Sequence, residues 1–158
     1  MDLSAWLLSL HLLAAAALVA AMVLFTVLVV ASRNVDVPSG LTRLTGVSRA
    51  GSILVAAGSG AVLLLGVILA FQKDGYAIWD PWIVAAIVLW VIFAGTGQRV
   101  GAHYDRAAKR ARELEAVGDR PSPELAALVR DRRAITLHAV SLAAVLLLLL
   151  DMIFKPGA

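Results

Sequence analysis

The chain has 158 residues, of which 61% are hydrophobic and only 16% are charged, and it contains no cysteine. Soluble domains carry about 25% charged residues, so this composition excludes an ordinary soluble domain and indicates a protein of the lipid bilayer. The absence of cysteine excludes disulfides, thiolate-bound metals, iron–sulfur clusters and covalently attached c-type haem.

Four apolar segments are long enough to cross a bilayer, whose hydrocarbon core of about 30 Å takes about 20 residues of helix. In chain order they cover residues 3–31, 53–71, 82–97 and 134–154. Too few residues remain for a separate soluble core, so we predict one all-α domain over residues 1–158, an up-down bundle of four transmembrane helices. We expect the first segment to stay in the mature protein, because Asp2 stands where a signal peptide has a basic start.

Basic residues are distributed very unequally among the connections between these segments. Three lie between segments one and two and nine between segments three and four, whereas Lys73 and Lys155 are the only others. The positive-inside rule therefore predicts that both of these connections are cytoplasmic and that both termini lie outside. Topology accounts for the net charge of +3, so we expect contact with the lipid bilayer and no nucleic-acid partner.

The first segment contains His11 close to the outer interface, as counted over about 20 residues from its cytoplasmic end near Ala31. Imidazole is the commonest metal ligand among side chains. His11 is therefore a candidate cofactor-binding residue. The alternative is an interfacial histidine whose hydrogen bonds are satisfied.

The second segment is rich in small residues in its cytoplasmic half. Ser52, Ala56 and Gly60 recur at every fourth position and share one helix face, which favours close approach of a neighbouring helix. Gly97 and Gly101 repeat the spacing at the cytoplasmic end of segment three. We predict helix packing within the bundle at both places, with a dimer seam as the alternative.

The third segment begins at WDPW, where Asp80 can cap a helix and Pro81 suits its first turn. Its helical pattern continues past the membrane until GDRPSPE, residues 118–124, breaks it and starts a return helix. We therefore predict a cytoplasmic helical hairpin over residues 98–133. Its basic tip is the expected docking surface for a partner, and a solvated charged face is the alternative. The predicted docking residues are Arg106, Lys109, Arg110, Arg112 and Arg120.

The fourth segment ends at LLLLLDMIFKP, where Asp151 allows two interpretations. It pairs with Lys155, four residues later on the same face, and ends the span, or it points into the bundle, where an ionisable group is costly and usually functional. Because Asp151 and His11 fall at similar outer depth, the carboxylate is a candidate to orient the imidazole. His138 lies roughly 20 Å deeper, too far from His11 to share one haem iron.

With the spans in place, the chain resembles DUF 2269, an uncharacterised family of predicted bacterial integral membrane proteins. The resemblance rests on LHLLAAAALVAAMVLF in the first span, the basic hairpin and the terminal DMIFKP. The outline is also similar to the copper-resistance D-type membrane proteins and the membrane protoporphyrinogen oxidases that bind haem b. That similarity implies a functional histidine early in the first span, which is His11 here.

Three functions follow as hypotheses. The first is a non-catalytic accessory or scaffold subunit of a larger complex in the bacterial inner membrane, with no cofactor, no bound metal and no catalytic residue. The second is a membrane redox protein that binds haem b through His11, supported by Asp151. The third is a small-molecule or metal permease.

Overall fold

The computed structural model describes residues 2–72 and 76–156. This part of the chain contains five helices and no strand: α1 (Leu3–Ser32), α2 (Pro38–Gln72), α3 (Pro81–Ala116), α4 (Pro123–Val129) and α5 (Arg132–Phe154). Four stretches are long and apolar enough to cross a membrane, with α4 and α5 counted as one. The predicted all-α fold with four candidate spans is thereby confirmed. The orientation of the termini stays a prediction, and Lys73, which contributed to it, lies outside the described residues.

The helices extend well beyond the apolar segments on the side of the basic connections. α2 begins at Pro38, before the predicted span 53–71, and α3 continues to Ala116, past the predicted span 82–97. Pro38 suits a first helical turn because its missing N–H is not needed there. At the start of α5, Asp131 accepts hydrogen bonds from the backbone N–H groups of Arg133 and Ala134.

The bundle consists of two helix pairs, α1 with α2 and α3 with α5. The pairs meet chiefly along α2 and α3, with a smaller contact between α1 and α5. The central core is formed by five side chains from three helices: Leu18, Met22, Phe93, Ala144 and Val145. The interface between the two pairs is therefore looser than the contacts within each pair.

Three glycines on α2 bring it close to α1. A Cβ atom at Gly58 would lie 3.5 Å from the carbonyl oxygen of Ala14 and 3.5 Å from the amide nitrogen of Leu18. At Gly51 a Cβ would lie 3.3 Å from Leu24 Cδ2, and at Gly66 it would lie 3.2 Å from the imidazole of His11. The glycines recur after seven and eight residues, so they follow one face of α2 over about four turns.

The small residues predicted to pack against a neighbouring helix lie on other faces. Ser52 and Ala56 are exposed, and a Cβ at Gly60 or Gly101 would meet nothing within 4 Å in the described chain. Gly97 does lie at a helix contact, since a Cβ there would be 3.7 Å from Ser141 Oγ. The prediction from small residues at every fourth position did not identify the α1–α2 contact. The residues along a contact between two helices recur about every seven positions instead.

The ends of α3 and α4 join the start of α2 in a compact unit that we call the hairpin layer, residues 33–41 and 98–133. Its core is a second hydrophobic cluster: Leu41, Ala107, Ala111, Leu125 and Val129. Two hydrogen-bonded ties hold it together. Asp119 Oδ1 accepts from the Ser39 amide at 2.8 Å, and the Arg130 guanidinium donates to the Arg33 carbonyl at 3.3 Å.

We predict that Gly58→Leu lowers the free energy of unfolding by about 1–3 kcal/mol, because the added side chain meets backbone atoms of α1 that cannot move aside. Gly60→Leu is the matched control two residues away, and its effect should stay within about 0.5 kcal/mol. Denaturant unfolding in mild detergent measures both. Equal effects of the two substitutions would contradict the assigned contact face.

A second prediction concerns pH. Hydrogen bonds from the Ser39 side chain and amide lower the pKa of Asp119 below its ordinary value of 3.8. A carboxyl with a lowered pKa in the folded state stabilises the protein above its unfolded pKa and loses that effect as pH falls through the folded value. Asp119→Ala should therefore lower the melting temperature at pH 7, and the difference from the parent should shrink as the pH falls through the folded-state pKa of Asp119. A part that does not depend on pH should remain, because Asp119 has a φ of 47°, which alanine adopts less readily than aspartate. Asp36→Ala is the exposed control.

Candidate functional site

Three buried polar side chains at the predicted outer end of the bundle have an atom without a hydrogen-bond partner. Within the described residues these atoms are His11 Nδ1, Trp82 Nε1 and Asp151 Oδ2. The three residues are only 9%, 6% and 9% exposed, respectively. Buried polar atoms almost always have a partner, so a group of three at one end of the bundle marks a candidate site. We call these residues the outer polar layer.

His11 and Asp151 each continue the buried stripe of their own helix. On α1, His11 lies seven residues before Leu18, and on α5, Asp151 lies three residues after Leu148. Spacings of three, four and seven residues keep side chains on one helix face. Both side chains are therefore on the faces that form the interior of the bundle.

The two residues also lie at nearly the same height. A hydrogen bond of 3.0 Å between Thr26 Oγ1 and His138 Nε2 fixes the register of α1 against α5. Asp151 is thirteen residues after His138, and Leu13 is thirteen residues before Thr26, so antiparallel helices bring Asp151 level with Leu13. His11 is two residues from Leu13, an axial offset of about 3 Å. No hydrogen bond joins His11 and Asp151 in the described part of the chain.

Gly66 leaves the space on α2 that the His11 imidazole occupies. The ring lies so close to α2 that a Cβ atom at position 66 would be 3.2 Å from Cε1 and 3.6 Å from Nδ1. The backbone of Val62, one turn away, also contacts the ring. Sequence analysis missed Gly66. The signal was a single glycine inside the aliphatic run LLLGVIL, where glycine usually marks close approach of another group.

Lys155 does not form the ion pair with Asp151 that was one of the two expectations. Its ammonium donates a hydrogen bond to Tyr76 Oη at 3.0 Å and lies 5.1 Å and 5.4 Å from the ring centroids of Tyr76 and Trp82. Lys155 ends α5 in the left-handed conformation, with a φ of 42°. That turn takes its side chain off the helix face that holds Asp151, so the expected spacing of four residues no longer applies.

The basic residues of the hairpin tip differ in their roles. Arg110 clamps α4 onto α3, since its guanidinium donates to both carboxylate oxygens of Glu124, at 3.1 Å and 2.7 Å, and to Glu113 at 3.1 Å. The other four predicted docking residues are exposed and lack an acidic partner within 4.0 Å among the described residues. They are Arg106, Lys109, Arg112 and Arg120.

The other two histidines form hydrogen bonds that link one helix to another. His138 bonds Thr26, and His103 Nε2 bonds the Leu128 carbonyl oxygen at 2.9 Å while its Nδ1 lies 4.0 Å from Asp131. Next to His138 on α5, Ser141 bonds Thr96 at 2.6 Å. Over the described residues, no group of three or more histidine, aspartate or glutamate side chains is arranged to hold a metal ion.

Comparison with known proteins identifies the family of the chain. The family described as a predicted integral membrane protein, DUF2269, matches residues 5–156. No curated protein and no solved structure matches significantly. The similarity to copper-resistance D-type proteins and protoporphyrinogen oxidases stays an expectation.

We predict that Asp151→Leu raises the free energy of unfolding by about 1–3 kcal/mol, because it removes a buried acceptor that has no partner. Asp151→Asn keeps a polar group of the same size there and should bring no such gain. Melting in mild detergent compares the two variants. A destabilised Asp151→Leu protein would indicate that the carboxylate is bonded within the fold.

Proposed function

Because the chain belongs to the DUF2269 family of predicted integral membrane proteins, we propose that it acts as a non-catalytic accessory subunit of a larger complex in the bacterial cytoplasmic membrane. In this proposal the N-terminus is outside and the hairpin layer projects into the cytoplasm. The partner is another membrane protein subunit with an acidic cytoplasmic surface.

One observation carries the proposal: the hairpin layer is internally held, yet its basic side chains remain available. The hydrophobic cluster around Leu41 fixes the layer, and Asp119 and Arg130 tie it to the first connection. A surface that is already ordered loses little conformational entropy on binding. Such a layer therefore suits docking better than a flexible charged loop.

The positive charge of the hairpin layer favours a partner with a negatively charged surface. Arg106, Lys109 and Arg112 follow one another at three-residue intervals on α3, so they spread over adjoining faces of the helix. Exposed charges of one sign speed association with a surface of the opposite sign and contribute less to final affinity. An acidic protein surface and anionic lipid headgroups both satisfy this chemistry, and of the two we propose the protein surface.

We predict that replacing Arg106, Lys109, Arg112 and Arg120 together by glutamine removes the partner that co-purifies with the parent protein from its native membrane. Quantitative mass spectrometry of mild-detergent eluates should show at least a tenfold loss of that partner. Lys155→Gln, at the other end of the bundle, is the control and should retain it.

Two results would contradict this role. One is a parent protein that purifies alone while membranes lacking it keep all of their complexes. The other is a quadruple variant that loses binding to vesicles of anionic lipid and no protein partner, which would assign the basic surface to the membrane.

The outer polar layer supports a second candidate, a redox protein that binds haem b. His11 Nδ1 is buried and has no partner within 3.5 Å, although the ring also interacts with the Val62 backbone. Because His103 and His138 are bonded to neighbouring helices, His11 is the histidine that could offer a ligand nitrogen. Asp151 would be the residue that orients the imidazole. Haem, when bound, supplies one-electron chemistry, and the chain's contribution would be to bind it and keep it from water.

A reduced-minus-oxidised absorbance spectrum of the protein purified from its native membrane tests this candidate. We expect a haem b signal that His11→Ala abolishes and that His103→Ala retains. A flat spectrum of the parent protein would rule the candidate out and leave the accessory role.

A further inference from the structure

A large cavity lies between the two helix pairs on the side of the hairpin layer, away from the outer polar layer. Its volume is about 440 Å³, and α1, α2, α3 and α5 all contribute to its wall. An apolar cavity of about 150 Å³ already binds a benzene molecule. A cavity of this size is therefore large enough for a substantial organic ligand.

The wall of the cavity changes from apolar to polar along the bundle axis. At the deep end it presents Met22, Phe25 and Phe93, and toward the hairpin layer it presents Ser48, Gln98 and Tyr104. Ser141 also lies at the deep end, but its hydroxyl is already bonded to Thr96 and to the Phe93 carbonyl oxygen, so water, which needs two to four polar partners, finds few there. An amphipathic molecule matches this gradient, with its apolar part deep and its polar part near the hairpin layer.

Some polar groups at that end are available for a ligand. The Tyr104 hydroxyl is shielded from solvent and has no partner within 3.5 Å in the described chain; Ser32 interacts with it from a greater distance, while the Ser32 hydroxyl bonds the Val29 carbonyl oxygen. By contrast, His138 and Ser141 are bonded to Thr26 and Thr96. The head group of the ligand is therefore expected at Tyr104, near the end of the cavity.

The charge of the wall limits the kind of head group. Among the described lining residues, Asp105 is the only acidic one, and none is a lysine or arginine. Arg33 acts on Tyr104 from outside the wall, but the wall itself offers a phosphate or carboxylate no cationic partner and presents the Asp105 carboxylate, so an uncharged head group is favoured over an anionic one. A hydroxyl or carbonyl head group meets neither problem.

The cavity continues toward the surface between α2 and α3. An adjoining, more open cavity of about 430 Å³ shares Val55, Phe93, Gly97 and Gln98 with it and reaches Trp90 and the exposed Val91. The Trp90 indole N–H donates to the Ser59 carbonyl oxygen at 3.1 Å, so this tryptophan presents its apolar ring there. Access is thus from the side of the bundle, where lipid chains surround the apolar helices.

We propose that the cavity binds one molecule of an uncharged amphipathic lipid with a hydroxyl or carbonyl head group, taken up from the bilayer between α2 and α3. The head group bonds Tyr104, and the apolar chain lies along Phe93 and Met22 and extends through the adjoining cavity. This site is separate from the outer polar layer and does not depend on partner docking.

Photolabelling of the whole protein in lipid nanodiscs tests the proposal. The probes are hexadecanol and hexadecanoic acid, each carrying a diazirine at mid-chain, at equal loads and at an alkaline pH at which the acid is ionised in the bilayer. Mass spectrometry should find hexadecanol attached to cavity residues of α2 and α3, saturating at one molecule per chain. Labelling by the acid should be at least fivefold lower at the same residues.

Two glycine variants locate the site. Gly101 lines the cavity, and a Cβ there meets nothing within 4 Å, so Gly101→Leu fills the space without a clash and should reduce hexadecanol labelling at least fivefold. Gly60 is equally free of neighbours and lines neither cavity, so Gly60→Leu should label like the parent. Tyr104→Phe should label less with hexadecanol while labelling by the acid stays low.

Three outcomes would overturn the proposal. Labelling that never saturates would indicate ordinary contact with bulk lipid. Equal labelling by the alcohol and the acid would remove the assigned selectivity for an uncharged head group. Equal loss in Gly101→Leu and Gly60→Leu, with parental melting temperatures for both, would place the probe outside the cavity.

Discussion

The close approach of α1 and α2 at Gly51, Gly58 and Gly66 is the contact on which the rest of the bundle depends. Within a bilayer the hydrophobic effect does not drive helices together, so van der Waals packing of surfaces that fit closely must do so. The glycine seam supplies that fit for one pair of helices. It also determines where His11 lies, because the imidazole occupies the space that a side chain at Gly66 would fill.

Different kinds of interaction stabilise the two ends of the bundle. In the hairpin layer, Leu41 and its neighbours form a small core of the kind that water drives together. At the other end, aromatic and cationic contacts among Tyr76, Trp82 and Lys155 dominate, and buried polar atoms remain unpaired. The intervening stretch has tight pairs but a loose interface between them, which leaves room for the cavity. Stability is thus concentrated in the hairpin layer and the glycine seam, while the candidate sites lie where packing is incomplete.

The spans were predictable from sequence because hydropathy reports how long an apolar segment is, and length decides whether it can cross a bilayer. The helix faces were not, because alanine, valine and leucine occur on all sides and the contrast between buried and lipid-facing positions is weak. Gly58 and Gly60 illustrate this limit. Both are glycines in the same apolar stretch, but only Gly58 faces α1, and the sequence does not show which of them does. Lys155 illustrates another, because a single left-handed residue redirected a side chain that regular helix spacing assigned to Asp151. Depth depends on counting residues along a helix, and the register set by the Thr26–His138 bond agrees with the similar height predicted for His11 and Asp151.

The two ties of the hairpin layer have a consequence for how the first connection can vary. Asp119 bonds the amide of Ser39, and Arg130 bonds the carbonyl of Arg33, so both ties engage the main chain, and the Ser39 side chain adds to the first of them. Exchange of the exposed residues between them, Asn34 and Asp36, leaves both bonds in place, whereas Val35 packs on the Leu41 cluster and Pro38 is fully buried. A residue inserted or removed shifts one anchor relative to the other and breaks at least one bond. The connection is therefore constrained in length and at its buried positions, and free in composition only at its exposed ones, so a working variant must retain its spacing together with Val35 and Pro38.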